Sequence, residues 1–172
     1  MNRKEIYLAA GCFWGAQRYL QLIEGVLETE VGFANGNTEN PTYEEVYTDT
    51  TGYAEAVRLA YDADVVSLRF LLEMYFKAID PTSLNKQGED EGTRYRTGIY
   101  YTDEAALSVI RPVMEAEARH YGLPLCVEVE PLKNFTAADE RHQNYLVKNP
   151  NGYCHLPVAL FELAKKTKAS NQ

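Results

Sequence analysis

Hydrophobic and polar positions along this chain alternate between the two-residue period of strands and the 3.6-residue period of helices. Ile6 to Ala10 is an unbroken apolar run closed by Gly11, the pattern of a buried strand. Phe13 to Ile23 carries Ala16, Leu20 and Ile23 at helical spacing, with Gly25 as a stop. Val26 to Phe33 reads as a second strand and Ala54 to Tyr61 as a third. In the third, Glu55, Val57, Leu59 and Tyr61 share one face, and Ala54, Ala56, Arg58 and Ala60 the other. Val66 to Ile79 predicts a helix with Phe70, Leu71, Met74, Tyr75 and Ala78 on one side. Tyr95 to Tyr101 predicts a strand, and Asp103 to Tyr121 a helix that Pro112 should kink or divide. Leu125 to Glu130 alternates as a strand containing Cys126, Thr136 reads as the cap of a short helix through Leu146, and Val158 to Lys166 closes with a helix. Two long polar stretches, residues 34–53 and 81–94, interrupt the pattern, and irregular segments of that length usually carry function. With no repeat and no linker, the interleaved strands and helices predict one α+β domain over 1–172.

Charge narrows the function. Lys and Arg total 17 against 25 Asp and Glu, a net charge of −8, which disfavours nucleic acid and anionic membranes. The close basic cluster Lys165, Lys166 and Lys168 lies near the polar carboxyl end. No run approaches the ~20 apolar residues of a membrane span. The amino-terminal apolar run is short and broken by Gly11, unlike a signal segment, so the cytoplasm is the expected compartment. No long amphipathic surface demands a partner, and a monomer is expected.

The three cysteines, Cys12, Cys126 and Cys154, are odd in number and form no C-x-x-C, which fits neither a disulfide scaffold nor a zinc frame. Cys154 and His155 come nearest to a ligand pair, but adjacent residues rarely share a metal, and none is expected. Cys12 stands where a buried strand meets a helix N-terminus, where free N–H groups and the dipole favour a thiolate. The alternative is an inert core cysteine. Phe13 and Trp14 follow it, and either fill the core or wall a pocket for a small apolar group. Glu55 lies on the more apolar face of its strand; buried there, its carboxyl has a raised pKa and acts as an acid or donor. Turned to solvent, it is a plain carboxylate. Among 13 tyrosines, Tyr43 and Tyr95 fall in loops, where a phenol either packs or donates to a substrate oxygen. The flanks of Cys154 (Asn149, Pro150, Asn151, Gly152) suggest a mobile segment from about residue 147, suited to a resolving thiol. Cys126, inside a strand, reads as structural.

Gly11–Gly15, GCFWG, resembles the signature of the A-type peptide methionine sulfoxide reductases. GFANG, NPTYEEV, TGYAEAVR, QGEDEGTRYRT and NPNGYC resemble that family's successive blocks, in order, over nearly the whole chain. The resemblance implies a two-layer α/β sandwich around a ferredoxin-like core, with a mixed sheet and long active-site loops. It implies that Cys12 attacks the sulfur of methionine S-sulfoxide, free or in proteins, while Phe13 and Trp14 receive the ε-methyl group. Glu55 then protonates or hydrogen-bonds the sulfoxide oxygen, Tyr43 and Tyr95 assist it, and Asp90 orients the substrate. Cys12 becomes a sulfenic acid, Cys154 condenses with it, and thioredoxin reduces the disulfide, without a metal, flavin or nicotinamide. The family pattern has Cys154 initially far from Cys12. Gln17, Tyr53, Glu91 and Phe33 depart from the family's usual Glu, His, His and Tyr, and none carries the implied chemistry. Two rival readings remain: a cysteine hydrolase with His142 as base and Asp139 or Asp90 as orienter, and a module that only binds oxidised methionine.

Overall fold

Residues 1–169 are described by the structure, a computed structural model. Strand β1 (Arg3–Ala10) occupies an inner position of a six-stranded sheet, which accounts for its continuous apolar run. It leads into α1 (Phe13–Gln21), β2 (Val26–Ala34), a short α2 (Tyr43–Tyr47), β3 (Ala54–Asp62) and α3 (Leu68–Lys77). A small hairpin of β4 (Lys86–Gln87) and β5 (Asp90–Glu91) and a 3-10 turn (Thr93–Tyr95) precede β6 (Thr97–Tyr101). The chain continues through α4 (Leu107–Tyr121), β7 (Glu128–Pro131), β8 (Phe135–Ala137), α5 (Tyr145–Lys148) and α6 (Val158–Ala169).

The sheet order is β7-β6-β1-β3-β2-β8, antiparallel except for the parallel β6–β7 pair. Its inner four strands, with α1 and α3, run β-α-β-β-α-β in the spatial order β6-β1-β3-β2. That is the ferredoxin-like arrangement, and the α+β expectation holds. One face carries Ile6, Leu8, Val57, Leu59 and Tyr61 against Phe13 and Leu20 of α1 and Leu71 and Tyr75 of α3. Each fully buried apolar side chain there contributes roughly 1.5–3 kcal/mol. Two tyrosines tie these elements together, Tyr19 of α1 donating to the Met74 carbonyl of α3 (2.6 Å) and Tyr75 of α3 to that of Ala9 in β1 (2.7 Å). The opposite face packs Tyr7, Ala9, Ala54, Ala56 and Tyr100 beneath Leu132 and Phe135. The two-face division of β3 is therefore as the alternation predicted.

Three expectations are corrected. Helix α4 is one element through Pro112, so the proline does not divide it; it sits in the second turn and removes a single bond to the Ser108 carbonyl. Thr136 caps no helix; it lies in β8, opposite Phe33 on the edge of β2. Gly32 permits that pairing, since a Cβ there would stand 2.4 Å from the Thr136 carbonyl oxygen. The helical turns come later, at Glu140–His142 and in α5, after Asn144 turns the chain with φ 53°. Cys126 precedes β7 rather than lying within a strand; its N–H donates to the Pro81 carbonyl (2.6 Å) and its thiol to that of Thr82 (3.4 Å). Among the described residues, no helix is long and apolar enough to cross a membrane.

Candidate active site

The turn between β1 and α1 places Cys12. Gly11 takes φ +80°, and a Cβ on it would stand 2.9 Å from the Gln87 Cβ, so both the backbone and the space demand glycine. Cys12 is then the N-cap of α1, its backbone still extended and its carbonyl accepting from Ala16 N–H at 3.4 Å. Its side chain is buried. Burial, and then the charge of Glu55, push its thiol well above the ordinary value; the Trp14 backbone N–H pulls the other way. The helix terminus thus acts in the expected direction and is outweighed. Burial therefore favours the thiol over the ionised form expected from the helix position.

Glu55 is 2% exposed, on the helix-covered face of β3 and opposite Phe33 of β2. Its Oε1 accepts from Phe13 N–H at 3.1 Å, so the carboxyl lies at the head of α1, one residue beyond Cys12. Burial pushes it up to about 8, against the pull of that N–H and of Arg94. Of the two readings open for Glu55, the buried one is the one realised, and that burial favours the neutral carboxyl.

Aromatic side chains close the site. Tyr43, the first residue of α2, stacks on His142 at 4.3 Å between ring centres and faces Phe13 at 6.5 Å and Phe33 at 6.4 Å. Helix α2 itself comes from the capping box of Thr42 and Glu45, a local signal inside a stretch that otherwise reads as irregular. Trp14 stacks on Tyr145 at 3.8 Å and donates its indole N–H to His142 Nδ1 at 3.2 Å. That bond commits the ring nitrogen a hydrolase would need as a base. Tyr95 ends the 3-10 turn rather than starting a strand. The Arg94 guanidinium sits between it and the Tyr47 ring, at 4.3 and 4.2 Å, and pairs with the Asp49 carboxylate. Burial, then Glu55, raise both phenols, Tyr43 to about 12 and Tyr95 further, so both are protonated donors. Arg94 and Asp49 were absent from the sequence reading; they lie 45 residues apart, and nothing local pairs them.

Asp90 faces the same site from β5. One oxygen accepts from the Tyr153 hydroxyl at 2.8 Å, and the other is buried without a partner among the described residues. Tyr153 is itself a residue that the sequence reading passed over. It ties the carboxyl-terminal arm to the hairpin beside Cys154. Cys154 is not remote: a Cβ on Gly15 would stand 2.9 Å from its sulfur, so the thiol rests on α1 one turn beyond Cys12. The glycine that ends GCFWG makes this approach possible. All three cysteines are free thiols.

The departures from the family pattern have structural partners. Gln17, fully buried, donates to the Thr29 carbonyl (3.3 Å) and accepts from Asn144 N–H (2.8 Å), joining α1 to the turn before α5. A Glu there would bring a charge into that buried junction. Tyr53 donates to the Thr38 carbonyl, Phe33 packs on Phe13 and Tyr43, and Glu91 is exposed in β5.

The family model of the peptide methionine sulfoxide reductases matches residues 4–172. The chain is 55% identical over 162 residues to the peptide methionine sulfoxide reductase MsrA of Lachnoclostridium phytofermentans, covering 94% of this chain and 98% of that one. Its structure is similar to Mxr1 of Saccharomyces cerevisiae in reduced form, with TM-score 0.84, 36% identity and 89% of each chain covered. Mxr1 in complex with Trx2 matches at TM-score 0.60 and 26% identity, over 84% of this chain and 85% of that one. The family match over nearly the whole length and the identity to these relatives show that the chain belongs to the peptide methionine sulfoxide reductase family.

Proposed function

We propose that this chain reduces methionine S-sulfoxide through Cys12, with Glu55 as the acid that makes the sulfur electrophilic. A sulfoxide sulfur resists attack until its oxygen gains a proton or strong donors. Glu55, neutral below about 8, supplies the proton, and the Tyr43 and Tyr95 phenols donate beside it. Cys12 and Glu55 both begin protonated, so the proton lost by the thiol replaces the one that Glu55 passes to the oxygen. Glu55 gives its proton to the oxygen and regains one from Cys12 as the new S–S contact forms. Collapse releases methionine and leaves the oxygen on Cys12 as a sulfenic acid. Phe13 and Trp14 set an apolar wall for the substrate's ε-methyl group, and Asp90 orients the substrate from the hairpin. The burial of Glu55 beside the head of α1, bonded to Phe13 N–H, carries this reading.

Cys154 then attacks the sulfenic acid, and its perch over Gly15 makes the required movement short. The segment from about residue 147 is the arm that moves, within a single catalytic domain. Thioredoxin reduces the resulting disulfide, as the Trx2 complex of the yeast relative supports. An open groove bordered by Arg18, Leu146, Pro150, Cys154, Val158 and Phe161 gives its thiolate a path. The substrates are free methionine S-sulfoxide and oxidised proteins, and the protein acts as a monomer in the cytoplasm, where three free thiols stay reduced.

The test is the pH profile of methionine formation in a single turnover. The rate should hold below pH 7 and fall as Glu55 ionises near 8; Glu55→Gln should slow the step and remove that fall. A fast Glu55→Gln variant with the wild-type profile would contradict the role.

A further inference from the structure

His155 is largely buried beside the thiols and has no task in the mechanism above. Its ring is wedged into the glycine-lined space at the head of α1. A Cβ on Gly11 would stand 3.2 Å from Nε2, and one on Gly15 would stand 3.3 Å from Nδ1. Nε2 lies 3.1 Å from the Ala10 carbonyl oxygen, which can only accept, so Nε2 carries the proton in the neutral ring. Nδ1 is left as a bare acceptor, and it is buried without a partner among the described residues. The same point above Gly15 is 2.9 Å from the Cys154 sulfur. The free acceptor and the resolving thiol therefore converge on one spot, a helical turn beyond Cys12. Cys154 meanwhile lies against the Leu156 backbone, its thiol donating to the carbonyl at 3.7 Å and its sulfur accepting from the N–H at 3.4 Å; burial raises its pKa and that N–H opposes the rise. It must shed a proton before it can attack.

We propose that His155 is the general base of the resolving step, its Nδ1 taking the Cys154 proton as that sulfur attacks the Cys12 sulfenic acid. This rests on Cys154 as the resolving cysteine. The Cys154 S–H bond breaks and its proton passes to Nδ1 while the Sγ–Sγ bond forms. The Cys12 S–O bond breaks, and the departing hydroxide leaves as water with the proton that Nδ1 returns. The sulfenic sulfur is reduced, the thiol sulfur is oxidised, and no outside oxidant enters. Burial holds the His155 ring below its ordinary 6.5, and the Asp90 carboxylate from β5 opposes that fall. Asp90, Cys154 and Cys12 are the titratable groups around it, so the ring is neutral and ready to accept at pH 7.

His155→Gln tests the proposal, because the Gln amide reaches the Nε2 position and keeps a donor for the Ala10 carbonyl while removing the base. Reduced protein is mixed with methionine S-sulfoxide without reductant, and methionine, free thiols and trapped sulfenic acid are followed in time. Methionine should form at the wild-type rate, disulfide should form about 10²-fold more slowly, and sulfenic acid should accumulate. In the wild type the disulfide step should rise with pH through a group below 6.5, and the variant should lose that inflection. Added imidazole should speed disulfide formation in His155→Ala. Disulfide formation at the wild-type rate in His155→Gln would overturn the proposal, as would an equal slowing of both steps, which marks a merely structural role. A wild-type disulfide that joins Cys12 to Cys126 instead would defeat the underlying assignment of Cys154, a distinct outcome visible by peptide mapping.

Discussion

Cys12 and Cys154 rest on the same helix, yet the chain holds them by different means. Cys12 is fixed by regular structure: β1 brings it in, α1 carries it away, and β3 sets Glu55 beside it. Cys154 lies in residues 149–157, where no strand or helix forms, and a few polar contacts retain it. These are Tyr153 to Asp90 and His155 to the Ala10 carbonyl, and beside them the Leu156 side chain is buried in the core. Each of the two hydrogen bonds contributes about 0.5–1.5 kcal/mol, and Leu156 anchors the far side of Cys154 in the core, so a movement confined to residues 153–155 costs less than release of the whole arm. The first step needs a sulfur and a carboxyl at fixed separation, which a sheet and a helix supply. In the proposed cycle the second needs a thiol that travels a short way and returns, which a loop without regular structure suits.

The comparison breaks most visibly at the two sulfurs. Cys12→Ser should abolish methionine formation, by at least about 10³-fold, in a single turnover. Cys154→Ser should form one methionine per chain at the normal rate and then stop, with thioredoxin-driven turnover reduced to under about a tenth. Loss of the first turnover in that variant would place Cys154 in the first step and dissolve the contrast.

Glu55→Gln should slow methionine formation by about 10²–10⁴-fold. It also carries a stability signature. A carboxyl at about 8 in the folded protein, against an ordinary 4.5, binds more protons folded than unfolded in that range. Its contribution is fully present below 4.5 and is lost as pH rises through about 8. At pH 9 the ionised, buried group costs the native state on the order of 4 kcal/mol. Glu55→Gln should therefore melt higher than wild type at pH 9, with the gap closing toward pH 5. A gap independent of pH would show that the carboxyl is not held neutral by burial.

Smaller effects sharpen the account. Tyr43→Phe and Tyr95→Phe should each slow the first step by about 10-fold, because two phenols share one oxygen, and the double variant should lose more. Cys126→Ser should leave both steps unchanged, since its thiol is spent on the Thr82 carbonyl away from α1.

Much of the first half was readable because its signals are local. GCFWG marks a strand-to-helix turn, and the two-residue alternation of 54–61 puts Glu55 on the more apolar face while leaving its burial open, which the structure resolves. The second half depends on partners far along the chain. Strand β8 forms because Gly32 admits Thr136, 104 residues later, and no helix or strand pattern at 135–137 announces that. Tyr153 meets Asp90 across 63 residues, and Cys154 reaches Gly15 only because the arm folds back. The balance that sets the Cys12 protonation is hidden for a related reason. The helix terminus is visible in sequence, but the burial that outweighs it is a property of the whole fold.

The most direct test of two thiols with separate tasks counts products in one turnover of the reduced wild-type protein, with excess methionine S-sulfoxide and no reductant. About one methionine per chain, loss of two thiols, and a Cys12–Cys154 peptide on mapping are the results this account predicts. Methionine without a disulfide, a Cys12–Cys126 link, or no methionine from folded and reduced protein would contradict it.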